Sequence, residues 1–258
     1  MRMNGKRIAR TALLVACGCL LAIAGAVSSA ATVKVGSLVV HAEATFSPRA
    51  LPQRSYAPVE IEGKADVHLT TGGQPSPVKE VVLDFDRDSL LLTRGLSVCR
   101  PAKIEQTTVS QARRRCAGAI VGTGHVQAIV PVGLFRVKVR VPLTLFNGPS
   151  PGAAATVLVH AQPIPLLGET YVVPVPIERE RGAYRYRARI DVPKIFGGAG
   201  SLTELDAKIG RRYRFRGVGH SFASARCSDG ALAAHARLIF AGGTVIEGLS
   251  EEACTALP

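Results

Sequence analysis

The sequence lacks several patterns by which enzymes and metalloproteins are recognised. It contains no tryptophan and only 5% aromatic residues, which disfavours sites where sugars stack on flat rings. Its six histidines show no HxxxH or similar ligand spacing. No glycine-rich loop is followed by the lysine that contacts phosphates. We therefore predict a protein that is not an enzyme and requires no cofactor.

A long apolar run is found only near the N-terminus. It covers residues 11–27, follows a basic start and is followed by the small residues VSSAAT, a pattern typical of an export signal. We expect cleavage after Ala30 or Ala31, so that residues 1–30 are a signal peptide and residues 31–258 a single all-β secreted domain. The alternative is an uncleaved N-terminal membrane anchor, for which about 17 apolar residues are at the short limit.

Closely paired CxxC cysteines are also missing, which argues against a zinc site. Cys17 and Cys19 would leave with the signal peptide. An even number of cysteines in an exported chain predicts two disulfides. Three pairings are open, and we favour the two in which each bond lies within one local segment. These are Cys99 with Cys116 and Cys227 with Cys254.

Acidic residues are fewer than basic ones, and the formal net charge is +13. Removal of the signal peptide takes away Arg2, Lys6, Arg7 and Arg10 and leaves about +9. Such a charge favours acidic partners or anionic surfaces. The partners that we consider are an anionic envelope polymer, a lipid surface or a protein. We expect no nucleic acid partner because the chain is exported.

Apolar and polar residues alternate with period two in much of the remaining chain. Residues 59–70, VEIEGKADVHLT, show this pattern over twelve positions. The same alternation occurs in residues 38–46, 135–145 and 232–240. Turn-forming segments rich in glycine and proline separate these runs. The prediction is an all-β fold, an antiparallel β-sandwich or curved sheet of about twelve strands with one short helix.

Two local patterns add detail to this prediction. The segment TTVSQARRRCAG has Thr108 and Gln111 at capping-box spacing, and Val109, Ala112 and Cys116 on one helical face. It is the only helix that we expect. In YVVPVPIERE, Pro174 and Pro176 both lose an amide hydrogen on the same side of the strand. The pattern therefore predicts that this segment is an edge strand.

Basic residues occupy alternate positions in three predicted strands. The sets are Arg136, Lys138 and Arg140; Arg185, Arg187 and Arg189; and Arg212, Arg214 and Arg216. If the three strands are neighbours, these cations form one wall that binds phosphate or carboxylate groups. The alternative is a solvated face, on which acidic residues of adjacent strands pair with the cations.

Two further motifs resemble sites without matching their context. Gly219, His220 and Ser221 imitate a hydrolase nucleophile elbow, but that elbow requires a strand-to-helix turn and an acid and histidine later in the chain. Asp84, Asp86 and Asp88 have the spacing of the first ligands of a calcium loop. The glycine and glutamate that complete such a loop are absent. A strand entering a hairpin explains the aspartates equally well.

Four blocks of the sequence carry a resemblance: LTRGLSVCR, CAGAIVGTGHV, LFNG and GRRYRFRGVGHSFASARC. In these blocks and their order, the chain resembles a group of uncharacterised secreted proteins from high-GC, actinobacterial-type bacteria. The resemblance covers most of the chain after the signal peptide. It implies a β-rich exported protein with a local disulfide around the small helix, and it implies no activity or ligand for any residue.

Three functions are compatible with these observations. The first is a non-enzymatic module that binds an anionic cell-envelope partner through its basic strand faces. The second is a carrier that wraps a sheet around an apolar ligand. The third is a hydrolase whose site is assembled in space from distant residues. The regular basic sets favour the first.

Overall fold

A computed structural model describes residues 30–162 and 170–258. Apart from Ala30, the predicted signal peptide lies outside the described residues, and so do Cys17 and Cys19. No helix in these two ranges has the length and apolarity needed to cross a bilayer.

The described residues are mainly β-strand. Within these residues, one α-helix, α1 (Val109–Arg115), and three short 3-10 turns (Pro101–Lys103, Ala117–Ala119 and Ile195–Gly198) accompany the strands. The strands are β1 (Ala30–Val35), β2 (Leu38–Ser47), β3 (Ala50–Pro52), β4 (Ala57–Pro58), β5 (Glu60–Leu69), β6 (Val78–Asp86), β7 (Ser89–Leu91), β8 (Ile120–Val132), β9 (Phe135–Asn147), β10 (Ala155–Ala161), β11 (Tyr171–Arg179), β12 (Tyr184–Asp191), β13 (Ser201–Ile209), β14 (Arg212–Phe215), β15 (Val218–Ser221), β16 (Ala223–Ala225), β17 (Ala231–Phe240), β18 (Val245–Ala253) and β19 (Thr255–Leu257).

Twelve of these strands form one antiparallel sheet, in the order β1-β2-β5-β13-β8-β9-β10-β11-β12-β6-β17-β18. The sheet curves so strongly that its two edge strands, β1 and β18, contact each other. Small residues permit this approach. A Cβ added to Gly248 would lie only 3.1 Å from the Cβ of Ala31, which is closer than an ordinary van der Waals contact. The all-β prediction is confirmed, and of its two forms the structure adopts the curved sheet.

Alternation along the strands determines which side chains enter the space enclosed by the sheet. In β5, Val67 is buried whereas the next residue, His68, is exposed. Strand β2 contributes Phe46 to one buried cluster and Leu38 to another, so the two clusters occupy opposite ends of the enclosed space. A small sheet of β4, β16 and β7 packs into the first end through Ala223 and Ala225.

Helix α1 covers part of the outer side of the sheet. The Thr108 hydroxyl accepts a hydrogen bond from the Gln111 backbone and the Gln111 side chain accepts one from the Thr108 backbone, so the predicted capping box is present. The face of the helix that carries Ala112 packs on Phe146 and Leu158. This patch gives α1 an apolar support that its few residues could not supply alone.

Both predicted disulfides are confirmed. Cys99 bonds to Cys116, at the C-terminal end of α1, and Cys227 bonds to Cys254. Disulfides persist in oxidising compartments and are rare in reducing ones. The two bonds therefore indicate an extracytoplasmic environment for this chain.

Strand β11 corrects the edge-strand prediction in part. It is an interior strand, with β10 on one side and β12 on the other. Its pairing with β12 is limited to Ile177, Glu178 and Arg179. The half that contains Pro174 and Pro176 pairs with β10 alone among the described strands. The prolines therefore occupy a local edge, where a missing amide hydrogen breaks no ladder bond.

Candidate functional site

Strands β8 and β9 are thirteen residues long and extend past their neighbours. β8 pairs with β13 only as far as Ile129, and β9 pairs with β10 only from Leu143 onward. Residues 130–137, here called the arm, pair only with each other among the described residues. With three residue pairs at about 3.4 Å each, the arm is about 10 Å long.

The end of the arm is apolar and faces solvent. Ten large apolar side chains are exposed in the described part of the chain, and four of them lie between positions 132 and 137. Leu134 is 100% exposed and Phe135 is 75% exposed. Together with Val132 and Val137 they form what we call the apolar tip. Clusters of exposed apolar side chains are often found where soluble proteins contact other molecules.

The backbone at the tip explains how the apolar residues come to be presented. Gly133 has a φ of 60° and, with Leu134, forms the two-residue loop between Val132 and Phe135. A glycine with positive φ at the first loop position is the requirement of a type II′ hairpin turn. Loops of this kind usually carry polar residues, whereas here the second position is leucine.

The alternation over residues 135–145 is typical of a strand with one face toward the core, yet Phe135 and Val137 on that face are exposed. The alternating face is buried only from Val141 onward. Val130 at the base of the arm is still fully buried, but the rest of the arm extends beyond the strands that enclose the core, and there the apolar side chains reach solvent. The signal that was missed is the apolar segment VPVGLF, which continues through a glycine turn without a polar residue.

The opposite face of β9 carries one of the three predicted basic sets, here called the basic strip: Arg136, Lys138 and Arg140. All three side chains are exposed. Within residues 30–162 and 170–258, no carboxylate lies at ion-pairing distance from any of them. Arg140 Nη2 lies 2.8 Å from Nε2 of His125. The strip is thus an uncompensated positive surface immediately behind the apolar tip.

A polar cleft of about 410 Å³ borders the strip on the outer side of the sheet. Arg136 and Lys138 line one side, and Asp66 and Glu204 line another. The carboxylates are already engaged: Asp66 lies 2.5 Å from Nδ1 of His68, and Glu204 accepts a hydrogen bond from Gln127 and lies 3.1 Å from His125 Nε2. The cleft therefore carries both signs of charge, and Arg136 and Lys138 are the cations in it that have no carboxylate partner among the described residues.

Two cations of the second basic set, on β12, are compensated by carboxylates. Arg187 donates to Asp84 and lies 3.4 Å from Glu180, and Arg189 pairs with Glu80 at 2.5 Å. Arg185 donates to the hydroxyl of Tyr56 and its guanidinium lies 5.4 Å from the centre of that ring. Cross-strand pairing, the alternative that the sequence left open, describes Arg187 and Arg189.

The third set, on β14, lies on the two-stranded β14–β15 sheet at the other end of the molecule. Arg212, Arg214 and Arg216 are exposed. Strand β14 follows the end of β13, where Ile209 pairs with Gly122 near the start of β8. The arm is at the opposite end of β8, about 30 Å away at 3.4 Å per residue.

The three basic sets therefore do not form one wall. In the large sheet, β9 and β12 are separated by β10 and β11, and β14 belongs to a different sheet. Of the three sets, the strip on β9 combines uncompensated charge with an adjoining cluster of exposed apolar side chains.

The motifs that resembled a nucleophile elbow and a calcium loop make other contacts in the structure. Ser221 is buried near the end of an antiparallel hairpin, and its hydroxyl donates to the carbonyl oxygen of Arg211. Asp86 accepts hydrogen bonds from the backbone of Asp88 and Ala233, while Asp88 accepts from Arg226. The described residues contain no group of three or more metal-type ligands.

Comparisons with protein-family models, with curated proteins and with solved structures found no match to this chain.

Proposed function

We propose that this protein is an exported, non-enzymatic binding module whose basic strip binds an anionic partner of the cell envelope. The observation that carries the proposal is the difference between two sets of cations on the same sheet. Arg187 and Arg189 are compensated by carboxylates of neighbouring elements. Arg136 and Lys138 have no such partner among the described residues and face a cleft.

The physical reason is that a cation already paired with a carboxylate can bind another anion only if the existing ion pair is broken. Binding an anion to Arg187 would require displacing Asp84, whereas binding to Arg136 displaces only water. Guanidinium groups bind phosphate and carboxylate through two parallel hydrogen bonds. The high net charge of the chain further supports an anionic partner, and the two disulfides support a location where envelope components are accessible.

Three triple-serine variants test the proposal, each of which removes three positive charges. The first replaces Arg136, Lys138 and Arg140; the second replaces Arg185, Arg187 and Arg189; the third replaces Arg212, Arg214 and Arg216. Binding of the exported protein to soluble polyphosphate and to phosphatidylglycerol vesicles is measured over a salt series. Because all three variants have the same net charge, they separate a local site from a general attraction.

We expect the first variant to weaken binding by about fivefold for each charge removed, since one basic side chain near an anionic surface is worth about 1 kcal/mol. We expect the other two variants to bind within about twofold of wild type. Equal losses in all three variants, or a loss only in the second or third, would overturn the proposal.

A further inference from the structure

We propose that the apolar tip inserts into the interface of an anionic lipid membrane while the basic strip contacts the lipid phosphates. This inference rests on the proposed function and names its partner as a lipid surface. It depends on the apolar residues of the arm, which binding to a soluble polyanion does not require.

The shape of the arm favours a bilayer. Leu134 is fully exposed at the end of a convex projection, with Phe135 beside it. A convex apolar tip can enter a fluid bilayer without a matching pocket, whereas a folded protein partner must supply a concave one. The uncompensated charge of the strip is complementary to anionic headgroups.

The order of residues along the arm matches the layers of a membrane surface. At about 3.4 Å per strand residue, Arg136 lies about 7 Å behind Leu134, and Lys138 about 14 Å behind it. Interfacial elements bury their apolar side about 5–10 Å into the boundary between headgroups and acyl chains. With Leu134 at that depth, Arg136 and Lys138 reach the phosphate layer, where charge attraction to anionic lipids is strongest.

Backbone hydrogen bonding limits how far the arm can enter. β8 and β9 satisfy each other's backbone groups between Val132 and Phe135, but the outer edges of this two-stranded arm have no strand neighbour among the described residues. Unpaired backbone groups are strongly disfavoured in hydrocarbon. The geometry therefore points to interfacial insertion of the tip and not to deeper penetration.

The absence of tryptophan from the whole sequence makes a direct test possible. Leu134→Trp places a single indole at the tip, and Val218→Trp places one at an exposed position of β15, at the opposite end of the molecule. Each exported protein is mixed with vesicles of phosphatidylglycerol and phosphatidylcholine, with or without brominated acyl chains. We expect the emission of L134W to shift to shorter wavelength and to be quenched by bromine, and that of V218W to do neither.

A second experiment separates insertion from charge attraction. We expect Leu134→Ser with Phe135→Ser to weaken binding to phosphatidylglycerol vesicles by about 100-fold, the value of burying two large apolar side chains. Binding to polyphosphate should stay within about twofold of wild type. Both side chains are exposed, so the core is unaffected, and an unchanged thermal midpoint serves as the folding control.

The outcomes distinguish the two proposals. If L134W binds phosphatidylglycerol vesicles with water-like, unquenched emission, or if the double serine variant binds vesicles as tightly as wild type, insertion is overturned and the anionic site stands. If the strip variant R136S, K138S, R140S binds both polyphosphate and vesicles like wild type, the proposed function fails. A blue shift of V218W equal to that of L134W would overturn the assignment of the tip.

Discussion

Arg187 donates two hydrogen bonds to Asp84, one from Nε over 2.6 Å and one from Nη2 over 3.2 Å. The two residues face each other across the β12–β6 ladder. His235 of β17, on the other side of β6, also lies 3.2 Å from Asp84. The central arginine of the most regular basic strand is thus bound within the sheet itself, whereas Arg136 and Lys138 on β9 have no carboxylate partner among the described residues.

The Asp84 carboxylate should make folding pH-dependent. Burial opposes its ionisation, but hydrogen bonds from Arg187 and His235 outweigh this and lower its pKa. A carboxylate with a lowered folded-state pKa stabilises the fold above the unfolded pKa, and this contribution is lost as pH falls through the folded value. Asp84→Asn should therefore cost about 2 kcal/mol at pH 7, and the difference from wild type should shrink below about pH 4.

Urea unfolding of both proteins at a series of pH values measures this difference. Glu80→Gln is the matched control, because Glu80 pairs with an arginine that is largely exposed, and exposed pairs contribute about 1 kcal/mol or less. A deficit for D84N that stays constant from pH 7 to pH 3 would contradict the assignment.

Asp88 and Arg226 form a second pair whose removal should be costly. The Asp88 side chain is fully buried and accepts hydrogen bonds from Arg226 Nε at 2.7 Å and the backbone of Ser228 at 2.9 Å. Arg226→Met leaves the buried carboxylate without its cation, and we expect a loss of about 3 kcal/mol at pH 7. Adding Asp88→Asn should recover part of that loss, so a double-mutant cycle in urea should be strongly non-additive. Additive losses would show that the two side chains act independently.

The Cys99–Cys116 disulfide should stabilise the region under α1. The bond spans 17 residues, for which chain entropy gives about 3 kcal/mol. Replacing both cysteines by serine should lower the free energy of unfolding by about that amount, and amide hydrogen exchange should rise in α1 before it rises in β17. The Cys227–Cys254 double serine variant is the comparison, because its 27-residue loop predicts a similar loss. Faster exchange of α1 in that variant alone would contradict the local role.

Gly124 should not tolerate a side chain, whereas Gly63 should. A Cβ at Gly124 would lie 2.3 Å from the carbonyl oxygen of Asp206, whereas a Cβ at Gly63 would meet nothing within 4 Å. Both glycines lie within long strands of the same sheet. We expect Gly124→Ala to destabilise by at least about 2 kcal/mol, as overpacking does, and Gly63→Ala to be neutral or slightly stabilising. Thermal unfolding of the two variants decides this, and equal midpoints would be inconsistent with the close approach of β8 and β13.

Much of the local structure was predictable because neighbouring residues determine it. Alternation over residues 59–70 predicted β5, and the Thr108–Gln111 spacing predicted the start of α1. The two disulfides followed from cysteines that are close in sequence. Each of these features depends on contacts within about thirty residues of chain or on a period that the strand itself imposes.

The candidate site was predictable only in its cations. The basic strip, Arg136, Lys138 and Arg140, was identified from its spacing, but so were the sets on β12 and β14, and nothing local distinguishes the three. Leu134 was not singled out, and the alternation over residues 135–145 did not show that Phe135 would be exposed. From the sequence, an apolar residue in an alternating strand is predicted to be buried unless the length of the neighbouring strands is known.

The sequence alone determined that this chain forms amphipathic strands, one capped helix and two local disulfides, because period, capping and cysteine proximity act over short distances. Tertiary structure alone decided which cations are compensated and which apolar residues reach solvent. Strand order placed Asp84 against Arg187 and separated β9 from β12 by two strands. The lengths of β13 and β10 left the arm uncovered, since pairing partners come from distant parts of the chain, and both charge compensation and burial depend on those partners.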